Sequence, residues 1–578
     1  MRFVLALVAF VVAAGMIAFG IAQRTVLLPP SHAVVTTHVA KGVRYVVVPG
    51  TALHAHPGQQ RLHVEGAGTV FAAYGRSTDV TAWLSGERYQ RVGIDPAATT
   101  ASAVVATAHR LPALKTATAH PDPDGSDLWL DQRRGAESLD WTVNLPASVS
   151  LLIAADGRSP APSAVTLTWP VHVSTPFATP LIVGGSVLVV VGLLLYIWAL
   201  VHMKRRRGPR RKSPPRQPKA PAFHSAPPRE PAMAGSRARR SVRSLLATGG
   251  VTAAGAVLLA GCSSPDVRTT APVAPAVAGP TAVLTAAQAQ RIVRDAAAVA
   301  HKADAARKAS LLAPRFAGPA LVLRNAAYAI RKHDKKAKPP QALPTTTASI
   351  GLTLPEATAV WPRTLFAVLT DTAKPKTPPV ALALVQDDPR SPYRVNYAMS
   401  LNSSLPTLAP SLTGAMRLRN DNDLLRVQPA DLAADYGLLL RHPTAKPAKL
   451  FDTAHDSLMQ AVGATAKKRI RKHLGSTARI AFADTTKDVA PVIAMATADG
   501  GAIVSVNLKE TWTVKPVKKG VTVKPSGETK ALAKVASTGK GLLSTYGYQL
   551  LFSVPSAASN RPVQLLGYAQ GLTSAKEL

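Results

Sequence analysis

Residues 181–212 read LIVGGSVLVVVGLLLYIWALVHMKRRRGPRRK, and the two parts of this stretch decide the layout of the chain. Leu181 to Val201 is a run of twenty-one uncharged residues. At about 1.5 Å per residue it spans about 30 Å, one bilayer core. Tyr196 and Trp198 lie near its end, where amphipathic rings suit the headgroup layer. Seven cations follow within nine residues: Lys204, Arg205, Arg206, Arg207, Arg210, Arg211 and Lys212. Cytoplasmic flanks carry excess Lys and Arg, so the segment reads as a transmembrane helix that ends inside.

Working toward the N-terminus, Phe3 to Ala22 is a second uncharged run, twenty residues long, behind Arg2. Secretory signals usually carry an apolar region of about 7–15 residues, so a retained anchor is preferred to a cleaved signal. Gly20 and Ala22 before Gln23 form the small-residue pattern of the alternative, cleavage. Both readings export the chain from Gln23 onward. Residues 24–180 carry twelve Lys/Arg and eleven Asp/Glu and hold short β-branched or aromatic runs at 43–48, 61–64, 70–74, 80–84, 141–145, 149–154 and 165–173. Gly, Pro and Asp punctuate these runs, which predicts an exported, all-β, sandwich-like domain, with a barrel as the alternative.

Working toward the C-terminus, residues 204–243 hold fourteen Lys/Arg, one acid and eight prolines, which predicts an extended, basic cytoplasmic loop. Leu245 to Gly261 is a third apolar run, rich in Ala and Gly, behind Arg237, Arg239, Arg240 and Arg243. Its end, Leu259-Ala260-Gly261-Cys262, resembles the lipobox of bacterial lipoproteins, in which the thiol receives a diacylglyceryl group. Cys262 is the single cysteine of the 578 residues. This composition excludes an internal disulfide and any multi-cysteine metal cluster. The alternative is an ordinary third membrane helix. Both readings place residues after 262 outside the cytoplasm. Residues 233–578 have the parts of a complete lipoprotein precursor and residues 1–232 those of a two-helix membrane protein. The chain therefore reads as two proteins joined or one destined to be cut in two before Cys262, with a permanent three-helix protein as the alternative.

Beyond a tether (263–283), Thr285-Ala286-Ala287-Gln288 has the form of a capping box opening a helix to about Ser310. A second helix is expected from Pro319 to Arg331, followed by strands at 348–354, 364–370, 380–386 and 393–401. The order then repeats, with helices at 429–440 and 452–472 and strands at 480–483, 492–496, 502–514, 521–524, 546–554 and 563–567. The expectation is two tandem α+β modules, 284–425 and 426–578, of a nuclear-transport-factor-like kind. The complete layout is a multidomain membrane protein: helix 1–23 (or signal), β domain 24–180, helix 181–203, loop 204–243, apolar segment 244–262, tether and two modules.

The helix–β-domain–helix front half and the lipobox bear on kinship, as do the stretches Arg315-Phe316-Ala317-Gly318-Pro319-Ala320-Leu321 and Trp361-Pro362-Arg363. Together they resemble uncharacterised membrane protein and lipoprotein families of the envelope of GC-rich Gram-positive bacteria. The resemblance covers most of 244–578 and, less closely, 1–203. It implies a location at the cell membrane and no activity.

The chain carries 68 Lys/Arg against 32 Asp/Glu, and residues 263–578 alone hold forty-one against twenty. Nucleic acid is the wrong partner, because aromatic residues are 5% and no helix-turn-helix, zinc-finger or RNA-recognition pattern is present. Membrane lipid, anionic wall polymer or envelope proteins are the expected partners.

Candidate chemistry is sparse. His54, His56, His63 and Glu65 follow the two-residue period of a strand face and are weak candidates for a metal site, with surface histidines at a turn as the alternative. Asp122, Asp124 and Asp127 cluster in an acid-poor chain but lack the distal Glu of a calcium loop. No Gly-x-Ser-x-Gly, His-Glu-x-x-His or cysteine-nucleophile pattern is present, no cofactor is implied, and no catalytic residue is assigned. A non-catalytic envelope protein with exported binding modules is preferred to an exported hydrolase or transferase acting on envelope material.

Overall fold

The computed structural model describes residues 2–28, 30–95, 100–112, 120–171, 175–205, 281–346, 349–485 and 490–578. The expected loop and the lipobox with Leu259, Ala260, Gly261 and Cys262 lie outside the described residues. Two units separate, one built on residues 1–28 and 174–277, the other on 29–173 together with 278–578.

In chain order, helix α1 (Arg2–Thr25) precedes strands β1 (His32–His38) and β2 (Tyr45–Val48), the short helix α2 (Gly50–Leu53), and β3 (Gln60–Arg76). Helix α3 (Ser77–Trp83) follows, then β4 (Arg88–Asp95), β5 (Thr100–Thr107), β6 (Asp131–Val143), β7 (Val149–Ala154) and β8 (Ala164–Pro170). Helix α4 (Ala178–Arg205) ends this half.

Both α1 and α4 are long and apolar enough to cross a membrane. They pack antiparallel as a hairpin whose seam has a seven-residue period of small residues. Ala6, Ala13 and Gly20 on α1 are buried, as are Ala178, Gly185, Gly192 and Ala199 on α4. A Cβ at Gly20 would lie 2.7 Å from Ile182, and one at Gly185 would lie 2.6 Å from Ile17. Small side chains let the two backbones approach closely, which apolar helices need where lipid competes equally for Leu and Val. Phe3 and Tyr196 close one end edge to face at 5.8 Å, and Arg24 donates to Thr179 Oγ1 at 2.9 Å near the other.

In the second unit, β1–β8 form one sheet in the order β1-β8-β3-β7-β2-β4-β5, with β6 also on β3. It curls into a nearly closed, barrel-like sheet, the second of the two expected all-β forms and not the sandwich. The reason is β3: the runs expected at 61–64 and 70–74 are one seventeen-residue strand. It pairs with β8 in its first part, with β7 in its second and with β6 along both. The strand expected at 80–84 is helical instead. Asp79 sits in the first turn of α3, Thr81 Oγ1 bonds back to Ser77 O at 2.8 Å, and Val80 and Trp83 fill a core beside Tyr45, Phe71 and Trp129.

The C-terminal region opens with α5 (Ala286–Ala306), and both arms of the capping box form. Gln288 N donates to Thr285 Oγ1 at 3.2 Å, and Thr285 N donates to Gln288 Oε1 at 3.0 Å. Then come α6 (Gly318–His333), β9 (Ile350–Pro355), β10 (Arg363–Leu369), β11 (Val380–Gln386), β12 (Arg394–Leu401) and α7 (Leu432–Arg441). The helix expected at 452–472 is broken at Gly463 into α8 (Ser457–Val462) and α9 (Ala464–Leu474), with Asp456 capping the first piece. Strands β13 (Ala478–Thr485), β14 (Ile493–Ala496) and β15 (Ala502–Pro516), helix α10 (Gly527–Ala533), and strands β16 (Leu542–Val554) and β17 (Gln564–Glu577) complete the chain. The strand expected at 521–524 contributes a single bridge, Val523 to Thr538.

Both expected modules contribute to one half-barrel sheet, β13-β15-β16-β17-β12-β11-β10-β9, with β14 on β15. The seam between them is the short pairing of β12 with β17, Ser400 with Tyr568 and Leu401 with Gly567. A Cβ at Gly567 would stand 2.4 Å from Ser400 O, so only glycine permits the approach. Helix α5 buries Ile292, Val293, Ala296 and Ala300 over β10–β12, and α7 buries Leu432, Tyr436 and Leu439 over β15 and β16.

Candidate functional site

Helix α6 lies across the seam of the half-barrel, and its sequence explains why. Pro319 occupies the first turn, where a missing N–H costs nothing. Arg331, Lys332 and His333 close the last turn, where cations complement the carbonyl end. Lys335, Lys336 and Lys338 follow, and Pro339-Pro340 leads the chain to Gln341 beside the sheet. Between α6 with this return segment and strands β12 and β15–β17 is a cavity of about 640 Å³. Trp512, Tyr546, Tyr548 and Tyr568 give it an aromatic lining.

One buried carboxylate organises that lining. By the two-residue period, Glu510 and Trp512 share a face of β15, and Tyr546 and Tyr548 share a face of β16. The register sets Glu510 directly opposite Tyr546. Glu510 is fully buried, accepts from Trp512 Nε1 at 2.7 Å and Tyr548 OH at 3.2 Å, and pairs with Lys467 Nζ at 2.8 Å. Lys467, 2% exposed, also donates to Val462 O at 2.8 Å. The ammonium thus neutralises the charge, and Oε2 takes both ring donors while Oε1 faces Lys467 alone. Trp512 stacks against Tyr546 at 4.3 Å and meets Phe482 edge-on at 5.2 Å, so the ring is held on three sides. Burial, and then Glu510, hold the Tyr548 phenol far above its ordinary range, so it stays protonated and donates. Asp484 stands nearby with Arg441 Nε at 2.9 Å. Burial raises its carboxyl above the usual value, and the guanidinium opposes that rise.

The cavity walls are amides and cations. Gln549 Oε1 accepts the Ala398 N–H at 2.8 Å, Gln341 Oε1 accepts from Ser400 Oγ at 2.6 Å, and Gln570 and Asn402 also line the space. Arg324 is committed to Asp304 at 2.6 Å, while Lys338 makes no ion pair among the described residues. Chemically, this arrangement offers ring faces for an apolar surface, amide N–H groups for hydroxyls or carbonyls, and a cation at the wall.

The residues singled out as metal candidates separate into two places. His54 closes α2 and its Nε2 is 2.5 Å from Leu145 O, while His56 lies edge-on to Trp169 at 5.5 Å. His63 and Glu65 share an exposed face of β3, with Nε2 to Oε1 at 3.0 Å. Asp140, opposite His63 on β6, stands 3.2 Å from Nδ1. Among the described residues no group of three metal-ligating side chains forms a metal site. Donation of the protonated ring's Nε2–H to the Glu65 carboxylate raises the His63 pKa above 6.5. The stabilisation from its charged form is present below the unfolded-state value and is lost as pH rises through the folded-state value. Histidine NMR titration should therefore find His63 titrating above an unperturbed imidazole and returning toward it in Glu65→Gln; an unshifted wild-type value would refute the pairing. The Asp122–Asp127 turn spends its acids on arginines: Asp122 and Asp124 on Arg134, at 3.4 and 3.1 Å, and Asp127 on Arg315.

Residues 280–577 match the family described as Domain of unknown function (DUF8094), which is just over half of the chain. The chain belongs to this family. The family region contains the whole cavity, every helix from α5 onward and the entire half-barrel sheet. The barrel-like region and the helical hairpin lie outside it. No curated protein and no solved structure matched the chain.

Proposed function

We propose that this is a non-catalytic membrane protein of the cell envelope whose exported family region binds an anionic envelope polymer. The observation that carries the proposal is the aromatic, amide-walled cavity, with Lys338 of the segment after α6 in its wall. The excess of cations over acids in residues 263–578, forty-one against twenty, supports an anionic ligand. A polymer of sugar units presents both apolar ring faces and hydroxyls, which the rings and amides suit.

Charge and packing support this location. Cations after α4 favour a cytoplasmic exit. The packing of 29–173 with 278–578 in one unit supports placing both on the outer side. The chain must then return across the membrane between 206 and 280, and Leu245–Gly261 is the apolar run available for that. In this reading Cys262 supplies the lipid attachment, and the family region comprises two α+β modules fused along one sheet. The fit of α1 into α4 supports α1 as a retained anchor.

Full-length protein in detergent should bind a soluble phosphodiester-linked glycopolymer at low salt and its neutral counterpart weakly. Salt should weaken that binding steeply as the screening length falls from about 30 Å to about 8 Å. Trp512→Ala should cost about tenfold in affinity through lost stacking. Binding indifferent to salt, or absent at low salt, would remove anionic-polymer recognition.

A further inference from the structure

The contact between the barrel-like region and the family region is made largely of charge. Asp79 on α3 meets Arg363 at 2.8 Å, and the two side chains are 2% and 3% exposed. Asp127 receives both arms of Arg315, at 2.5 and 3.0 Å, and accepts the Tyr393 N–H at 2.7 Å. Glu87 faces Arg390 at 3.5 Å. Three buried carboxylates on one side are thus matched by three guanidiniums on the other, that of Arg363 buried and those of Arg315 and Arg390 partly so.

The remaining polar contacts read backbone carbonyls. Arg390 donates to Trp83 O at 2.8 Å and Ser85 O at 2.7 Å, Arg291 donates to Trp129 O at 2.6 Å, and Gln288 donates to Leu128 O at 3.0 Å. Arg76 reciprocates by donating to Ala282 O at 2.5 Å. Trp361 packs against the cluster containing Tyr45, Trp83 and Trp129, with the Arg363 guanidinium 3.6 Å from its ring centre.

We propose that this is a docking interface between separable partners: the family region recognises the acidic face of the barrel-like region without the covalent connection. An interior built for permanent burial is mostly apolar, whereas inter-domain contacts rich in charge resemble those of transient complexes. Each face here can be hydrated when alone, because carboxylates and guanidiniums dissolve readily. Once together, each desolvated charge needs its own counter-charge, and the two-armed Arg315–Asp127 geometry admits one orientation. None of the groups involved lies between residues 172 and 280, and the family region carries its full half of the contact. A chain cut after export would therefore remain one complex, with the family region held on the barrel-like region.

The test uses the full chain, with a specific protease site placed within 206–280 and a different tag at each end. It is folded, extracted in detergent and then cut. At about 0.15 M salt the halves should co-elute in gel filtration at micromolar concentration, and they should still do so at about 0.5 M, because buried pairs are poorly screened. Asp127→Arg should weaken the complex of halves by at least about a hundredfold, and adding Arg315→Asp should recover most of that loss. Should Asp127→Arg fail to fold, Arg291→Ala, which removes a donor to Trp129 O, should still speed dissociation about tenfold. Wild-type halves that separate under these conditions, or charge reversal without effect on a folded protein, would overturn the proposal.

Discussion

Glu510→Ala is expected to lower the stability of the family region by about 3–5 kcal/mol, the cost of leaving a buried charge without its partner. Lys467 is 2% exposed and cannot reach water without opening the wall between α9 and the sheet. The same substitution removes the acceptor of Trp512 Nε1 and Tyr548 OH, so the aromatic lining loses its fixed orientation as well. The paired variant Lys467→Met with Glu510→Gln behaves differently. It removes both charges, keeps an oxygen for the two donors and approximates the volume, so it should lie within about 1.5 kcal/mol of wild type. Urea unfolding followed by far-ultraviolet circular dichroism measures both. A loss below about 1 kcal/mol for Glu510→Ala would mean that Lys467 finds solvent or another acceptor, and that the ion pair does not hold the cavity wall.

In the apolar helical hairpin, a disulfide between Ala9→Cys and Gly192→Cys should form spontaneously in a Cys262→Ser background. A Cβ at position 192 stands 3.4 Å from the Ala9 Cβ, close to the usual separation of about 3.5–4.5 Å. Adding Gly185→Leu should reduce the cross-link to a small fraction of the wild-type yield. Its first side-chain atom already falls 2.6 Å from Ile17 Cγ1 and 3.0 Å from Ala13 O, and the latter, being backbone, cannot turn aside. Gel mobility under non-reducing conditions reads both. Absence of the first cross-link would deny the pairing of α1 with α4 and restore the reading of α1 as a cleaved signal.

Much of the architecture was legible before any coordinates. The two apolar helices follow from hydrophobic length alone, whereas the seam of Ala6, Ala13 and Gly20 against Ala178, Gly185, Gly192 and Ala199 emerged only from their packing. The α5 capping box follows from local hydrogen-bonding geometry, which four consecutive residues contain in full. These features were readable because the forces behind them act within a few residues or depend only on composition.

The candidate site was not legible in this way. The alternation in Glu510-Thr511-Trp512 and Tyr546-Gly547-Tyr548 reveals which residues share a face of each strand. The register that sets Glu510 opposite Tyr546 is decided only when β15 and β16 pair. Lys467, the partner of Glu510, comes from α9, the helix that begins after the break at Gly463. Arg315 and Arg363 stood out in the sequence only as parts of the stretches that carry the family resemblance, and their partners Asp127 and Asp79 lie 188 and 284 residues away. The sequence by itself determined the apolar spans, the segment charges and most strands and helices, because periodicity and hydrophobicity are local properties. Only the tertiary structure decided that α3 is helical, that two expected modules share one sheet, and which buried charges neutralise which, because desolvation energies depend on neighbours that the chain supplies from hundreds of residues away.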